Sequence, residues 1–235
     1  MIVGNALEGE SYVGKTSCLD IFRGPQDEES QEIVIIPEYS TVGEFVPFPR
    51  ESIADLGKAI RRIIELEQRR SDFLANFLAK KMIKYVFFDR GLISCIAFEY
   101  AAQKNGSLGS AIGMAEAFQQ ALDDKTIIVP KGMIHLTASR STIEARRAID
   151  RQKGKGPIIK FLQDENVRSD IDYAFKLFGD FLPDHYYLLC DTDNKDPKEI
   201  SASVLQFINE QKNVFNADPP NYVSYAEKLT IRRQL

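Results

Sequence analysis

The sequence predicts an α/β fold, a doubly wound parallel sheet of five strands. Five short apolar runs have almost unbroken hydrophobic residues, and segments of helical period lie between them. Central parallel strands are covered on both faces, so they lack the alternation of a half-exposed strand. A third observation is size: 235 residues that are 44% hydrophobic bury a full core and fit one domain.

Taken in order, MIVGNAL (1–7) is the first strand, and residues 15–23 form a helix stopped by Gly24-Pro25. EIVIIP (32–37) is the second strand. Ser52-Ile53-Ala54-Asp55 resembles a capping box that opens a helix with Ile53, Leu56, Ile60 and Ile63 on its apolar face, and a separate helix is expected over 68–82. KYVFFD (84–89) is the third strand, followed by helices over 92–104 and 109–122. MIHLTA (133–138) is the fourth, with a helix over 141–152, a glycine-rich basic loop QKGKGP (152–157) and a helix over 167–181. YYLLCD (186–191) is the fifth, and a helix over 197–211 closes the main domain, 1–212. From Asn213 the periodicity weakens, so 213–235 read as an extension that wraps the surface or a partner subunit. The apolar segment Leu92 to Ala102 suits a partner helix and the chain's own core equally well.

Composition narrows the function classes. A formal net charge of −4 argues against a protein that works by neutralising polymeric nucleic acid. Three scattered cysteines, Cys18, Cys95 and Cys190, make neither a zinc site nor a disulfide framework, and His135 and His185 lack metal-ligand spacing. With no signal-peptide pattern and no apolar run near 20 residues, the expectation is a cytoplasmic protein without membrane contact.

Gly9-Glu10-Ser11-Tyr12-Val13-Gly14-Lys15-Thr16 satisfies the pattern GxxxxGK followed by Ser or Thr, directly after a strand and directly before a helix. Glycines let successive backbone N–H groups curl round phosphate oxygens, and a helix amino terminus adds its positive end. ATP is the expected nucleotide, bound by Gly9, Gly14, Lys15, Thr16 and Ser17, with Lys15 along the β- and γ-phosphates and Thr16 on Mg²⁺. No guanine-reading NKxD occurs with GTPase spacing, since Asn194-Lys195-Asp196-Pro197 is misplaced and Asp89-Arg90-Gly91 is not DxxG. An acid followed by an arginine at a strand's carboxyl end suits Asp89 as a metal or metal-water ligand and Arg90 as a hold on the transferring phosphate.

Asp89 to Glu99 resembles the thymidylate kinase pattern DRYxxSSxAYQ in register over eleven residues. His135-Leu136-Thr137 followed by Arg147 and Arg151 is similar to that family's LDV strand and RxxxR lid, and Glu38 stands where the family has a strand-end glutamate. The resemblance, to thymidylate kinases and deoxynucleoside kinases, runs loosely over residues 1 to 210. It implies strand order 2-3-1-4-5, a helical lid at about 147–168, γ-phosphate transfer to a nucleoside or nucleoside monophosphate, and a homodimer. It also implies site roles: catalysis by Lys15, Glu38, Asp89, Arg90, Arg147 and Arg151, with the last two projecting from one helix face onto the phosphates. Glu38, Arg69, Arg70, Ser94, Phe98 and Glu99 would bind substrate, with Arg69 or Arg70 on an acceptor phosphate. Ser11, Tyr12 and Glu99 replace the family's aspartate, glycine and glutamine, which points away from dTMP as the acceptor; Glu99 would accept from an exocyclic amino group, or be an exposed helix carboxylate. Two readings stay open beside this one: a P-loop ATPase or nucleotide-binding regulator with no small acceptor, and a kinase of another metabolite hydroxyl.

Overall fold

In a computed structural model of the chain, the structure describes residues 4–23, 33–45, 50–79, 83–153, 160–211 and 220–231. Five strands form one sheet, β1 (Gly4–Glu8), β2 (Ile33–Ile36), β3 (Tyr85–Asp89), β4 (Gly132–Thr137) and β5 (Tyr187–Asp191). Every pair is parallel, and the order is β2-β3-β1-β4-β5. All five residues of β1 are buried, including the polar Asn5 and Glu8, as befits the central strand, while the edge strands β2 and β5 leave part of their length open. Register sets Leu7 against Asp89 and Glu8 against His135, so the carboxyl ends of β3, β1 and β4 finish level. Open α/β sheets bind their ligands along that edge.

Helix α1 (Lys15–Arg23) and α8 (Pro197–Gln211) cover one face of the sheet, where Phe22 stacks on Phe87 with ring centroids 4.5 Å apart. The short α2 (Tyr39–Val42), the long α3 (Ile53–Leu78), α4 (Leu92–Lys104), α5 (Ala111–Asp123) and α7 (Glu165–Gly179) belong to the other face, and α6 (Arg140–Gln152) follows β4. Ser52 caps α3, its Oγ accepting from the Asp55 amide at 3.1 Å. Instead of a second helix starting at 68, α3 runs unbroken for 26 residues. No glycine or proline interrupts Arg61 to Leu78, and Glu67 with Arg70 adds an i,i+3 ion pair at 2.7 Å. Helix α4 packs extensively on α7, and α5 closes over it, so α4 is buried within this chain's own core.

Of the extension 213–235, expected to wrap the surface or a partner subunit, residues 220–231 are described and pack on this chain's own domain. Residues 222–231 form α9 (Tyr222–Ile231), which packs on α5 and buries Tyr222, Tyr225, Ala226 and Leu229 in the largest apolar cluster. Tyr225 donates its hydroxyl to the Ala174 carbonyl at 2.8 Å. Its apolar spacing is helical, i, i+3, i+4 and i+7, but one face over ten residues is a weak signal. Gly24-Pro25, most of QKGKGP and the centre of the proposed lid, 154–159, lie outside the described residues. The three cysteines are buried and free. His135 is buried, with Nδ1 3.2 Å from the Tyr187 hydroxyl and Nε2 3.2 Å from Asp172. No described helix is long and apolar enough to cross a membrane.

Candidate active site

The loop from Gly9 to Gly14 is bent by three residues of positive φ, Gly9 at 132°, Tyr12 at 70° and Gly14 at 103°. At Gly9 the requirement is also steric, since a Cβ would stand 2.3 Å from the Leu136 carbonyl oxygen. Tyr12 holds a left-handed conformation that costs a non-glycine residue about 1 kcal/mol or more. Val13 is buried and anchors the loop from below, and α1 begins at Lys15, leaving Thr16 and Ser17 exposed at its head. Lys15 is folded back over its own loop, donating from Nζ to the carbonyls of Gly9 at 2.9 Å and Glu10 at 2.7 Å. Burial, and next the Arg90 charge, push its ammonium down to about 7.

Across the sheet edge, Asp89 ends β3 and Arg90 turns away with φ 64°. Four partners fix this turn. The Arg90 amide donates to Leu7 O at 3.2 Å, Nε donates to Glu38 at 2.9 Å, and Nη1 reaches Gly9 O at 3.2 Å and Ser94 Oγ at 3.3 Å. Beneath it, the buried Glu8 carboxylate accepts from the Gly91 amide at 2.6 Å and from Ser94 Oγ at 2.5 Å. Burial raises Glu8 to about 7 against the pull of Arg90. Glu8 thus ties the strand before the phosphate loop to the turn that carries Arg90.

Lys15, Thr16, Ser17, Glu38, Asp89 and Arg90 line one cleft of about 570 Å³. Its far wall carries Arg146, Ile149, Asp150, Lys153, Lys195 and Pro197. Arg146 knits that wall to the loop, donating to Tyr12 O at 3.1 Å and to Thr192 Oγ1 and O at 3.0 and 2.9 Å. Asp89 is raised by burial first and the neighbouring Glu38 charge second. Two acids side by side with the exposed Thr16 fit a divalent cation. Among the described residues no group of three or more ligating side chains exists, so such an ion would draw remaining ligands from phosphate and water, as Mg²⁺ does.

No family model matches the sequence, and neither does any curated protein. Among solved structures, the chain is similar to thymidylate kinase from Candida albicans, with 16% identity and a TM-score of 0.58 over 93% of this chain and 96% of that one. It is also similar to deoxyadenosine kinase from M. mycoides, solved with dCMP and a flexible dCDP, with 14% identity and a TM-score of 0.59 over 88% of this chain and 100% of that one. This chain has the P-loop nucleoside and nucleotide kinase fold.

Within this kinase fold, several residues expected in the site stand elsewhere. Arg70 is fully buried, paired with Glu67 at 2.7 Å, 4.1 Å over the Tyr39 ring, and donating to the Arg90 carbonyl at 2.5 Å. It supports the Arg90 turn from behind and has no face for an acceptor phosphate. Arg69 is exposed, on the outside of α3. Glu99 is neither a base reader nor an exposed carboxylate: Arg50 grips it at 2.6 and 2.5 Å and the Ser110 amide donates to it at 3.0 Å, all out of water. Arg147 and Arg151 do not converge. Arg147 points into a small pocket with Arg90, Phe98 and the phosphate loop, whereas Arg151 is exposed and lines neither cavity.

Glu8, Arg146 and Arg168 also belong to this site, without a motif in the sequence to mark them. Glu8 left one signal, a carboxylate at the end of an unbroken apolar strand. Arg168 left another, a cation on the inward stripe of α7 beside Val167 and Ile171.

Proposed function

We propose that this protein transfers the γ-phosphate of Mg²⁺-bound ATP to a nucleoside or nucleoside monophosphate. The observation that carries the reading is the single cleft in which Lys15 and Thr16 of the phosphate loop face Glu38, Asp89 and Arg90. Phosphoryl transfer asks for alignment and charge neutralisation more than covalent chemistry. Lys15, whose ammonium burial pushes down, is held in its charged form by a neighbouring phosphate and would leave its loop carbonyls for the β- and γ-oxygens. Arg90, pinned by Glu38, Gly9 and Ser94, presents a preorganised guanidinium to the transferring group. Thr16 and Asp89 would hold Mg²⁺, which supplies charge neutralisation on the β- and γ-phosphates. Glu38 faces the acceptor side, taking a proton from an attacking hydroxyl or orienting a monophosphate that needs no base.

The test is ADP release from Mg·ATP across a panel of nucleosides and nucleoside monophosphates, with Lys15→Ala beside the wild type. One acceptor should stimulate release, and Lys15→Ala should lose about 100-fold or more, the scale of one preorganised charge contact. ATP turnover that depends on Lys15 and ignores every acceptor would favour an ATPase or regulator instead.

A further inference from the structure

Adjoining the main cleft, and sharing Ser11, Tyr12 and Arg90 with it, is a small pocket where three arginines meet. Arg90, Arg147 and Arg168 line this pocket with Glu10, Ser11 and Phe98. The side chain of Arg168 is 7% exposed, and neither its Nε nor its Nη2 makes a hydrogen bond. Its nearest acids, Glu10 at 3.9 Å and Glu165 at 3.8 Å, stand beyond hydrogen-bond reach, and Glu165 lies largely in solvent. The Nε of Arg147 is likewise buried without a hydrogen bond. Glu144, also on the rim, is taken by Arg140 at 2.9 Å, and Arg90 already answers Glu38. The pocket therefore holds more cation than acid, with buried guanidinium donors that have left water and found no acceptor.

Such donors cost free energy unless a ligand meets them, and a phosphate accepts from several guanidinium groups at once. We infer that Arg147 and Arg168, with Arg90, form an anion subsite, and that the acceptor is accordingly a phosphate-bearing nucleoside monophosphate, not a free nucleoside. This rests on the kinase reading above and narrows its acceptor. Phe98, whose ring lies 5.5 Å from the Arg90 guanidinium, with Leu162 and Ile171, gives the pocket an apolar wall next to those cations. The enclosed space is about 20 Å³, room for one water, so binding a phosphate there requires lining side chains to move outward. The arrangement replaces the acceptor role expected of Arg69 and Arg70.

The experiment is calorimetric titration of the eight common ribo- and deoxyribonucleoside monophosphates and their nucleosides into wild type and Arg168→Gln, without ATP. Mg·AMPPNP is titrated in parallel. At least one monophosphate should bind ten-fold or more tightly than its nucleoside. Arg168→Gln should lose that preference ten-fold or more, Arg168→Lys should recover part of it, and AMPPNP affinity should stay within two-fold. Should Arg168→Gln misfold, judged by circular dichroism, the half-buried Arg147→Gln reads the same quantity. The inference fails if no monophosphate binds, if nucleosides bind as well, if the variants leave affinity unchanged, or if AMPPNP weakens in step, which would place the cluster on the donor. Absence of phosphoryl transfer to any acceptor, with Arg168-dependent monophosphate binding intact, would instead sink the kinase reading alone.

Discussion

Glu8 puts a carboxylate where the chain can hydrate it least, at the buried end of the central strand, and gives it two donors from the Asp89-Arg90-Gly91 turn. Its folded value of about 7 exceeds the ordinary 4.5, so between these limits the native protein keeps a proton that the unfolded chain releases. The stabilisation is complete below 4.5 and is lost as pH rises through 7, a change of about 3 kcal/mol at 1.36 per unit. Glu8→Gln keeps an acceptor for Gly91 and a group for Ser94 while removing that titration. Urea melts at pH 4.5 and 7.5 should show the wild type losing stability relative to the variant by that amount; parallel pH profiles would refute the assignment. The other site residues divide by how local their signal is. Gly9, Gly14, Lys15 and Thr16 were legible because one loop of eight residues contains the whole device. Arg70 and Glu99 were misplaced because a charge on a helix is read as exposed, while their burial is decided by partners, Glu67 and Arg50, and in the second case the partner is 49 residues away.

Among the elements, α4 shows what that distant partner does. The Arg50–Glu99 pair is sealed, with side chains 3% and 2% exposed, and it pins the segment before α3 to the middle of α4. Removing one partner strands a buried charge, so Glu99→Ala should cost about 3–5 kcal/mol by denaturant titration, whereas Arg50→Met with Glu99→Leu should restore most of the loss. A cost below about 1 kcal/mol for the single change would mean that the pair is solvated. Helix α9 makes a second claim at this scale. Leu229→Ala should destabilise by about 2–5 kcal/mol as a core truncation, against about 0.5 or less for a residue on a surface strap. The inner strands β3 and β4 were legible because burial on both faces writes itself as an unbroken apolar run, and the edge strands carry apolar runs although part of their length is open. The continuity of α3 was not, since nothing in its apolar spacing marks a boundary or its absence, and the missing breaker is the real information.

For the molecule as a whole, the parallel order β2-β3-β1-β4-β5 does the assembling. It places β1 between β3 and β4, so the phosphate loop after β1 lies beside Asp89-Arg90 after β3, and Glu38 follows β2 one strand further out. Arg90 thereby bonds both Gly9 and Glu38, residues far apart in the sequence, which is why the motifs suggested a site before its walls could be seen. The small pocket beside the cleft draws Arg147 from α6 and Arg168 from α7; the RxxxR pattern pointed to Arg147, whereas no short motif announced Arg168. The central claim is that the γ-phosphate leaves ATP for a small organic acceptor in this cleft. The most direct measurement follows the label from γ-³²P-ATP, with Mg²⁺ and mixed nucleosides and nucleoside monophosphates, in wild type and Lys15→Ala. Label should appear in a new nucleotide and be lost in Lys15→Ala. Label found solely as inorganic phosphate, or transferred equally well by Lys15→Ala, would contradict it.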